Sequence, residues 1–543
     1  MKRLVTILLF LIAATVAFAA NNYKYWVRFT NKDSTIYSLD TPLDYLSNRA
    51  IERRIKQNIA IDSTDLPIVE DYVDSVLSTG VGIVSRSKWL NGITISVPDT
   101  SVIGQISNFS FVKKVEMTYI PNYQRSAKLD LDNYPSRRTA YDNNGYGNAF
   151  EQINMHNGDW LQQAGFRGNG KVITVLDAGF LNINKLAIFT PAWNNGQILG
   201  TKDFVNPNSD IFNEHYHGGQ VLSVMLTNSF NTFIGTAPEA SYWLIRTEDA
   251  SSEFPIEIDN MVAGMEYADS VGTDIITASL GYFNFDNPIM SYTYANMNGK
   301  TSRASIAETL CARKGMIVVN SAGNEGSNPW HYITAPADAD SIITVGSVTD
   351  ALNRSPFSSW GPTSDGRIKP TVCALGTNTA VINSAGNPGT NNGTSLACPI
   401  ISGLTACLWQ ALPNLTNMQI IELIKKHGNL HENPNNEMGN GVPDFYAAYT
   451  EGAGITKNLL LNKDDVKMYP NPAKDGLHLE IKSSLFTKNL TLVLISVNGK
   501  KVFSERIHGS TTDFSLTSIK PGMYTVLIKS EKDILYREKL IKK

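Results

Sequence analysis

Ser395 sits in Gly393-Thr394-Ser395-Leu396-Ala397-Cys398-Pro399, a serine among small residues just ahead of an apolar run. A serine hydroxyl is a poor nucleophile until a base takes its proton, so this stretch needs an imidazole and a carboxylate elsewhere in the chain. Both lie upstream. Asp177 closes the run Val172-Ile173-Thr174-Val175-Leu176 and precedes Ala178-Gly179, while His217 opens His217-Gly218-Gly219-Gln220-Val221. Between His217 and Ser395 comes Ser321-Ala322-Gly323-Asn324-Glu325-Gly326. The Asn324 amide is a neutral donor suited to the negative charge that grows on a carbonyl oxygen during acyl transfer. Singly, an Asp after a strand is commonly a turn residue and an Asn beside Gly a left-handed turn, so the weight rests on the ordered set.

These residues need a scaffold, and the stretch from 152 to 450 supplies a pattern for one. Apolar runs at 172–176, 274–276, 316–320 and 342–346 alternate with helical periodicity at 221–226, 256–268, 304–313 and 395–411. Runs buried on both faces with helices between them predict an α/β domain, a parallel sheet with helices on both faces. Ligand and catalytic groups gather at the carboxyl ends of such strands, where Asp177 falls. Ser395 is predicted to open a buried helix, with Pro399 tolerated near the first turn. That position brings the Ser395 backbone N–H to the same developing oxyanion.

The order Asp, His, Asn, Ser with these flanks resembles the subtilisin-like serine proteases. So do Gly235-Thr236-Ala237-Pro238, Thr277-Ala278-Ser279-Leu280-Gly281, Phe357-Ser358-Ser359-Trp360-Gly361-Pro362 and Met438-Gly439-Asn440-Gly441-Val442-Pro443-Asp444. The resemblance implies Ser395 as nucleophile, His217 as general base, Asp177 as the carboxylate that orients it, and Asn324 in the oxyanion hole. It places peptide-binding backbone and pocket walls at Ser279, Leu280, Gly281, Ser321 and Gly323. It implies protein or peptide substrates and no cofactor; structural calcium, frequent in the family, finds no matching ligand loop here. The family's His-Gly-Thr-His run is altered, with Gln220 in place of the second histidine, and His215 is ranked below His217 because no Gly-rich segment follows it. The rival reading is a non-catalytic surface binding protein on a protease scaffold. Its signature would be a lost triad member, and none is lost.

Residues 1–20, a basic start and an apolar run closed by Ala17-Phe18-Ala19, read as a secretory signal peptide. The apolar run is shorter than the roughly 20 residues that span a bilayer, and no transmembrane segment is expected in the mature chain. Residues 21–118 alternate strand and helix patterns in the order of a small ferredoxin-like α+β domain. Placed ahead of a protease-like region, it resembles the inhibitory propeptide of subtilisin relatives, with an accessory domain as the alternative. Residues 119–151 form a polar linker with Arg125, Arg137 and Arg138 as processing candidates. After a second linker, 451–464, residues 465–543 read as a small β-sandwich. Its Tyr469-Pro470-Asn471-Pro472 opening, Asn498-Gly499-Lys500 turn and Pro521-Gly522-Met523-Tyr524 turn resemble the Bacteroidetes type IX secretion sorting domain. That implies export through the periplasm and across the outer membrane, to the surface or medium, with the secretion machinery as partner. A generic adhesive or carbohydrate-binding sandwich is the alternative.

Of the 543 residues, 42% are hydrophobic and 18% charged, which suits several folded domains. Without Lys2 and Arg3, 45 basic residues face 50 acidic ones, so no electrostatic attraction to nucleic acid is expected. Export permits disulfides, but Cys311, Cys373, Cys398 and Cys407 allow three full pairings and match no zinc spacing.

Overall fold

A computed structural model describes residues 22–123, 145–454, 465–482, 490–496, 500–530 and 534–543. The expected signal peptide, the processing arginines 125, 137 and 138, and the Asn498-Gly499 turn lie outside these residues. No helix among the described residues is long and apolar enough to cross a membrane. The four cysteines are each buried and free of disulfides.

The first unit runs β1 (Tyr23–Phe29), α1 (Asn48–Lys56), α2 (Glu70–Leu77), β2 (Gly82–Ser87), β3 (Gly92–Val97), α3 (Val102–Ser107) and β4 (Val112–Tyr119). Its antiparallel sheet has the order β2-β3-β1-β4, the connectivity of a split βαβ fold. The starts of two helices are set by local chemistry. The first starts only at Asn48, where the Ser47 hydroxyl accepts the Ala50 N–H at 3.2 Å. The second starts at Glu70, after Pro67; Glu70 and Asp71 suit a helix N-terminus, and Ile68 reaches the core from extended chain.

The central sheet contains β5 (Val172–Asp177), β6 (Ile198–Asp203), β7 (Ser241–Arg246), β8 (Ile275–Ala278), β9 (Ile317–Ser321), β10 (Ile343–Val348) and β11 (Val372–Leu375). All neighbours are parallel, in the order β11-β10-β9-β8-β5-β7-β6. Alternate residues separate two cores, as the pleat requires. Ile173, Val175, Ile275, Ile317 and Val319 face α4 (His217–Leu226), α7 (Thr394–Ala411) and α8 (Asn417–Lys426). Leu176, Ile276, Ala278 and Val318 face α5 (Ile256–Val271) and α6 (Arg303–Arg313), a core that also takes in Trp89 from the first unit. The sheet is thus covered on both faces.

The last unit pairs a three-stranded with a four-stranded antiparallel sheet around one core that includes Leu477, Leu479, Leu492, Leu494, Val526 and Leu540. It is a sandwich. It touches the central unit where the Arg537 guanidinium lies over the Trp160 ring and 4.0 Å from the Tyr446 ring centroid. The Thr525 hydroxyl also donates to Gln163 at 3.0 Å.

Helix α7 is buried along almost its whole length and lies directly on the turn at 235–237. A Cβ at Gly403 would sit 2.0 Å from Thr236 Oγ1 and 3.1 Å from the Ala237 nitrogen. Gly403→Val should therefore cost about 1–3 kcal/mol by overpacking. The check is urea denaturation: the midpoint falls while the slope stays constant, and an unchanged midpoint would contradict this packing.

Candidate active site

Asp177 ends β5 with its side chain fully buried. A buried carboxylate must be paired. Its Oδ1 accepts the Ala178 N–H at 2.8 Å, and His217 Nδ1 lies 2.8 Å from Oδ1 and 3.0 Å from Oδ2. An ionised carboxylate only accepts, so the proton between them belongs on Nδ1 and Nε2 is left as the basic nitrogen. The imidazole is 19% exposed, open enough to meet a ligand.

His217 is the first residue of α4, one turn earlier than periodicity suggests. The glycine after it serves close approach. A Cβ at Gly218 would lie 2.4 Å from the Gly179 oxygen and 2.8 Å from Asp177 Cβ, so only glycine lets α4 descend onto the aspartate turn. His215, ranked below His217, has a structural part: its Nδ1 accepts the His217 N–H at 3.3 Å and its ring lies tilted against Tyr216 with centroids 4.4 Å apart. Gln220, at the family's second-histidine position, accepts from Asn391 Nδ2 at 3.0 Å and ties α4 to the segment leading into Gly393.

Ser395 is in the first turn of α7 and half-buried. Gly393 before it has φ 150°, and a Cβ there would be 2.7 Å from Ser395 Oγ and 3.9 Å from Asn324 Nδ2. The hydroxyl and the amide therefore border one small space. Asn324 is held with its nitrogen toward that space because Oδ1 accepts from both the N–H and the hydroxyl of Thr394, each at 2.9 Å. Thr394 had no role in the sequence reading. Its place between Gly393 and Ser395 was the available signal.

Pro399 is the sixth residue of α7, one residue deeper than expected and past the first turn. It has no N–H to donate to the carbonyl four residues back, which is that of Ser395. The Ser279 hydroxyl fills the gap, donating to the Ser395 oxygen at 2.8 Å. Ser279 is thus joined to the serine itself, beyond the peptide-binding place the resemblance implies. Asn320 Nδ2 donates to the carbonyls of Leu280 (3.2 Å) and Ser321 (2.9 Å), locking the carboxyl ends of β8 and β9 together.

Gly281 and Gly323 flank a side chain absent from the sequence reading. Cβ atoms there would lie 2.1 and 3.0 Å from Thr334 Oγ1, which is buried and has no hydrogen-bond partner among the described residues. No local motif marks Thr334, because the loop that brings it back is set by the Tyr282–Ala335 backbone bridge. Cys398 faces the Val319 carbonyl at 3.3 Å, and burial pushes its thiol up to about 12, which makes it inert at neutral pH.

Three family models match the chain. Residues 168–441 match the subtilase family, residues 24–132 the peptidase S8 propeptide domain of Bacteroidota, and residues 467–543 a secretion system C-terminal sorting domain. Subtilisin E of Bacillus subtilis (strain 168) is 28% identical over 269 residues, covering 48% of this chain and 61% of that protein. Subtilisin from Bacillus pumilus is 27% identical, covering 48% of this chain and 84% of its own. The crystal structure of MycP1 from Mycobacterium smegmatis is 20% identical and covers 60% of this chain and 90% of that one, with a TM-score of 0.45.

The Ser279 contact has a measurable consequence. Ser279→Ala leaves the Ser395 carbonyl without its donor and should cost about 1–3 kcal/mol of stability. Ser279→Thr should retain most of it. Equal unfolding free energies for wild type and Ser279→Ala would remove this role.

Proposed function

The chain belongs to the subtilase family, and on that premise we propose that it is a secreted serine endopeptidase acting through an acyl-enzyme intermediate. The observation that carries the reading is the contact of His217 Nδ1 with the buried Asp177 carboxylate, which leaves Nε2 basic. In the proposed reaction Ser395 Oγ attacks the scissile carbonyl carbon as His217 Nε2 takes its proton. The oxygen that becomes negative is stabilised by Asn324 Nδ2 and the Ser395 N–H. His217 then gives its proton to the departing amine, and the acyl group stays on Ser395. Water, deprotonated by the same nitrogen, attacks the ester and returns Ser395 and a new carboxylate. Asp177 holds the Nδ1–H tautomer and stabilises the imidazolium that forms. Ser279, Leu280, Gly281, Ser321 and Gly323 are the proposed walls that position the peptide, and no step requires a cofactor.

The domain reading is proposed with the same extents: signal peptide to residue 20, propeptide domain to 118, linker to 151, catalytic domain to 450, linker to 464, and sorting domain to 543. The chain carries a secretion system sorting domain. We propose that it takes the type IX route across the outer membrane.

Fluorophosphonate labelling tests the serine without knowledge of substrate: the wild type should label and Ser395→Ala should not. Asp177→Asn should lower kcat by a factor on the order of 10⁴ by presenting the wrong tautomer. Asn324→Ala should lower kcat by about 10² to 10³, the range known from subtilisin itself, with KM nearly unchanged. A loss confined to KM would remove Asn324 from the oxyanion hole. Deleting residues 465–543 should leave labelling intact and trap the protein in the periplasm; normal delivery of the truncated chain would overturn the secretion reading.

A further inference from the structure

We infer that the central domain carries a socket for an arginine pair on the side of its sheet away from the candidate active site, and that this socket keeps the first domain bound after the linker is cut. The inference rests on the proposed cleavage between residues 119 and 151.

The socket is built at the amino ends of two strands. Asp269 lies in the last turn of α5, Thr273 and Asp274 precede β8, and Lys314 and Gly315 precede β9. Asp177, Ser279 and Asn324 stand at or beyond the carboxyl ends of β5, β8 and β9. The four residues of β8 alone, at about 3.3 Å each, put roughly 13 Å between the two sides.

Helix α1 of the first domain fills the socket. Arg53 pairs with Asp269 and also donates to the carbonyls of Thr273 (2.5 Å) and Lys314 (3.1 Å). Arg54 bridges Asp269 at 2.8 Å and Asp65 at 2.7 Å. Lys314 reaches back to Asp65 at 2.8 Å, and Arg49 pairs with Asp274. Arg53, Arg54, Lys314, Asp65 and Asp269 have side chains no more than 4% exposed, so water does not compete for these charges. A helix C-terminus also favours cations. The fork of an arginine can meet a carboxylate and two carbonyls at once, which a lysine cannot. Gln57 adds contacts to the Gly315 carbonyl and the Asn417 N–H, at 2.7 and 2.8 Å.

The rest of the first domain grips α5 along its length. Ser87, Lys88 and Trp89 donate to Glu266, and Thr94 donates to Asp259 at 2.9 Å. Tyr119 meets Phe254 just ahead of the helix, edge to face at 5.0 Å. These contacts near the helix start, with Glu116 and Arg303 at 3.4 Å, lie toward the carboxyl ends of the strands. The arginine socket involves no residue of the candidate active site, so neither a cut linker nor an occupied cleft disturbs it. Desolvated, hydrogen-bonded charge pairs set dissociation rates, which is the property retention needs.

The test uses the full chain with Ser395→Ala, so its outcome does not depend on the proposed activity. A recognition sequence for a site-specific protease is inserted between Arg137 and Arg138, the chain is cut, and the products are separated by gel filtration. The first domain should co-elute with the remainder. Arg53→Ala with Arg54→Ala should speed its dissociation by a factor on the order of 10², whereas Tyr119→Ala with Tyr123→Ala should leave co-elution intact. If the double arginine variant does not fold, Arg53→Lys keeps the charge, loses the fork, and must still dissociate faster. Separation on cutting, or arginine variants as firmly retained as the parent, overturns the inference. Failure here would leave the labelling result for Ser395 standing, and the reverse holds too.

Discussion

A carboxylate with no access to water governs the arrangement of the central domain. Asp177 is placed in the interior by β5, whose six residues are all buried, and its charge must be met there. The backbone after it supplies one donor and His217 the other. For His217 to arrive, α4 must begin at that residue and pass within touching distance of the 177–179 turn, which Gly218 allows. Helix α4 then packs beside α7 over one face of the sheet, and α7 carries Ser395. One buried charge thus dictates where a helix starts, what its second residue is, and which neighbour it lies against.

The four candidate site residues could be singled out in sequence because each follows or precedes an apolar run whose period is plain. Strands β5, β8, β9 and β10 and helices α5, α6 and α7 fall within a few residues of their patterns for the same reason. What escaped notice acts across distance. Thr394 fixes Asn324 from 70 positions away, Ser279 serves a carbonyl orphaned by a proline 120 positions later, and Thr334 returns to two glycines through a backbone bridge. Each depends on which loops meet, and periodicity carries no such information. His215 has a contact of another kind, its Nδ1 accepting the N–H of His217 at the start of α4.

Helix α5 organises the other face in a comparable way, with charge in place of chemistry. Along its sixteen residues it offers Asp259, Glu266 and Asp269 to the first domain, about two turns and then one turn apart. Burial alone raises the pKa of all three. For Asp269 the charges of Arg53 and Arg54 outweigh burial and hold it below the ordinary carboxylate value, while Asp259 and Glu266 remain raised despite their partners. The strongest electrostatic hold is therefore at the C-terminal end of α5, where the helix's own carbonyls also favour a cation. Trp89 adds apolar contact by completing the core between α5, α6 and the sheet.

The two ends of a parallel sheet differ in kind, and this chain uses the difference. At the carboxyl ends, loops diverge and leave concave space, so half-buried groups such as His217, Ser395 and Asn324 can meet a ligand. At the amino ends, helix C-termini converge with exposed carbonyls, which makes a natural seat for guanidinium groups. A domain held at the amino side imposes no geometry on Asp177 and His217, because the intervening strands are closely packed. A restraint so placed can be strong without distorting the site at the other end of the strands, which a restraint anchored only in the cleft could not be.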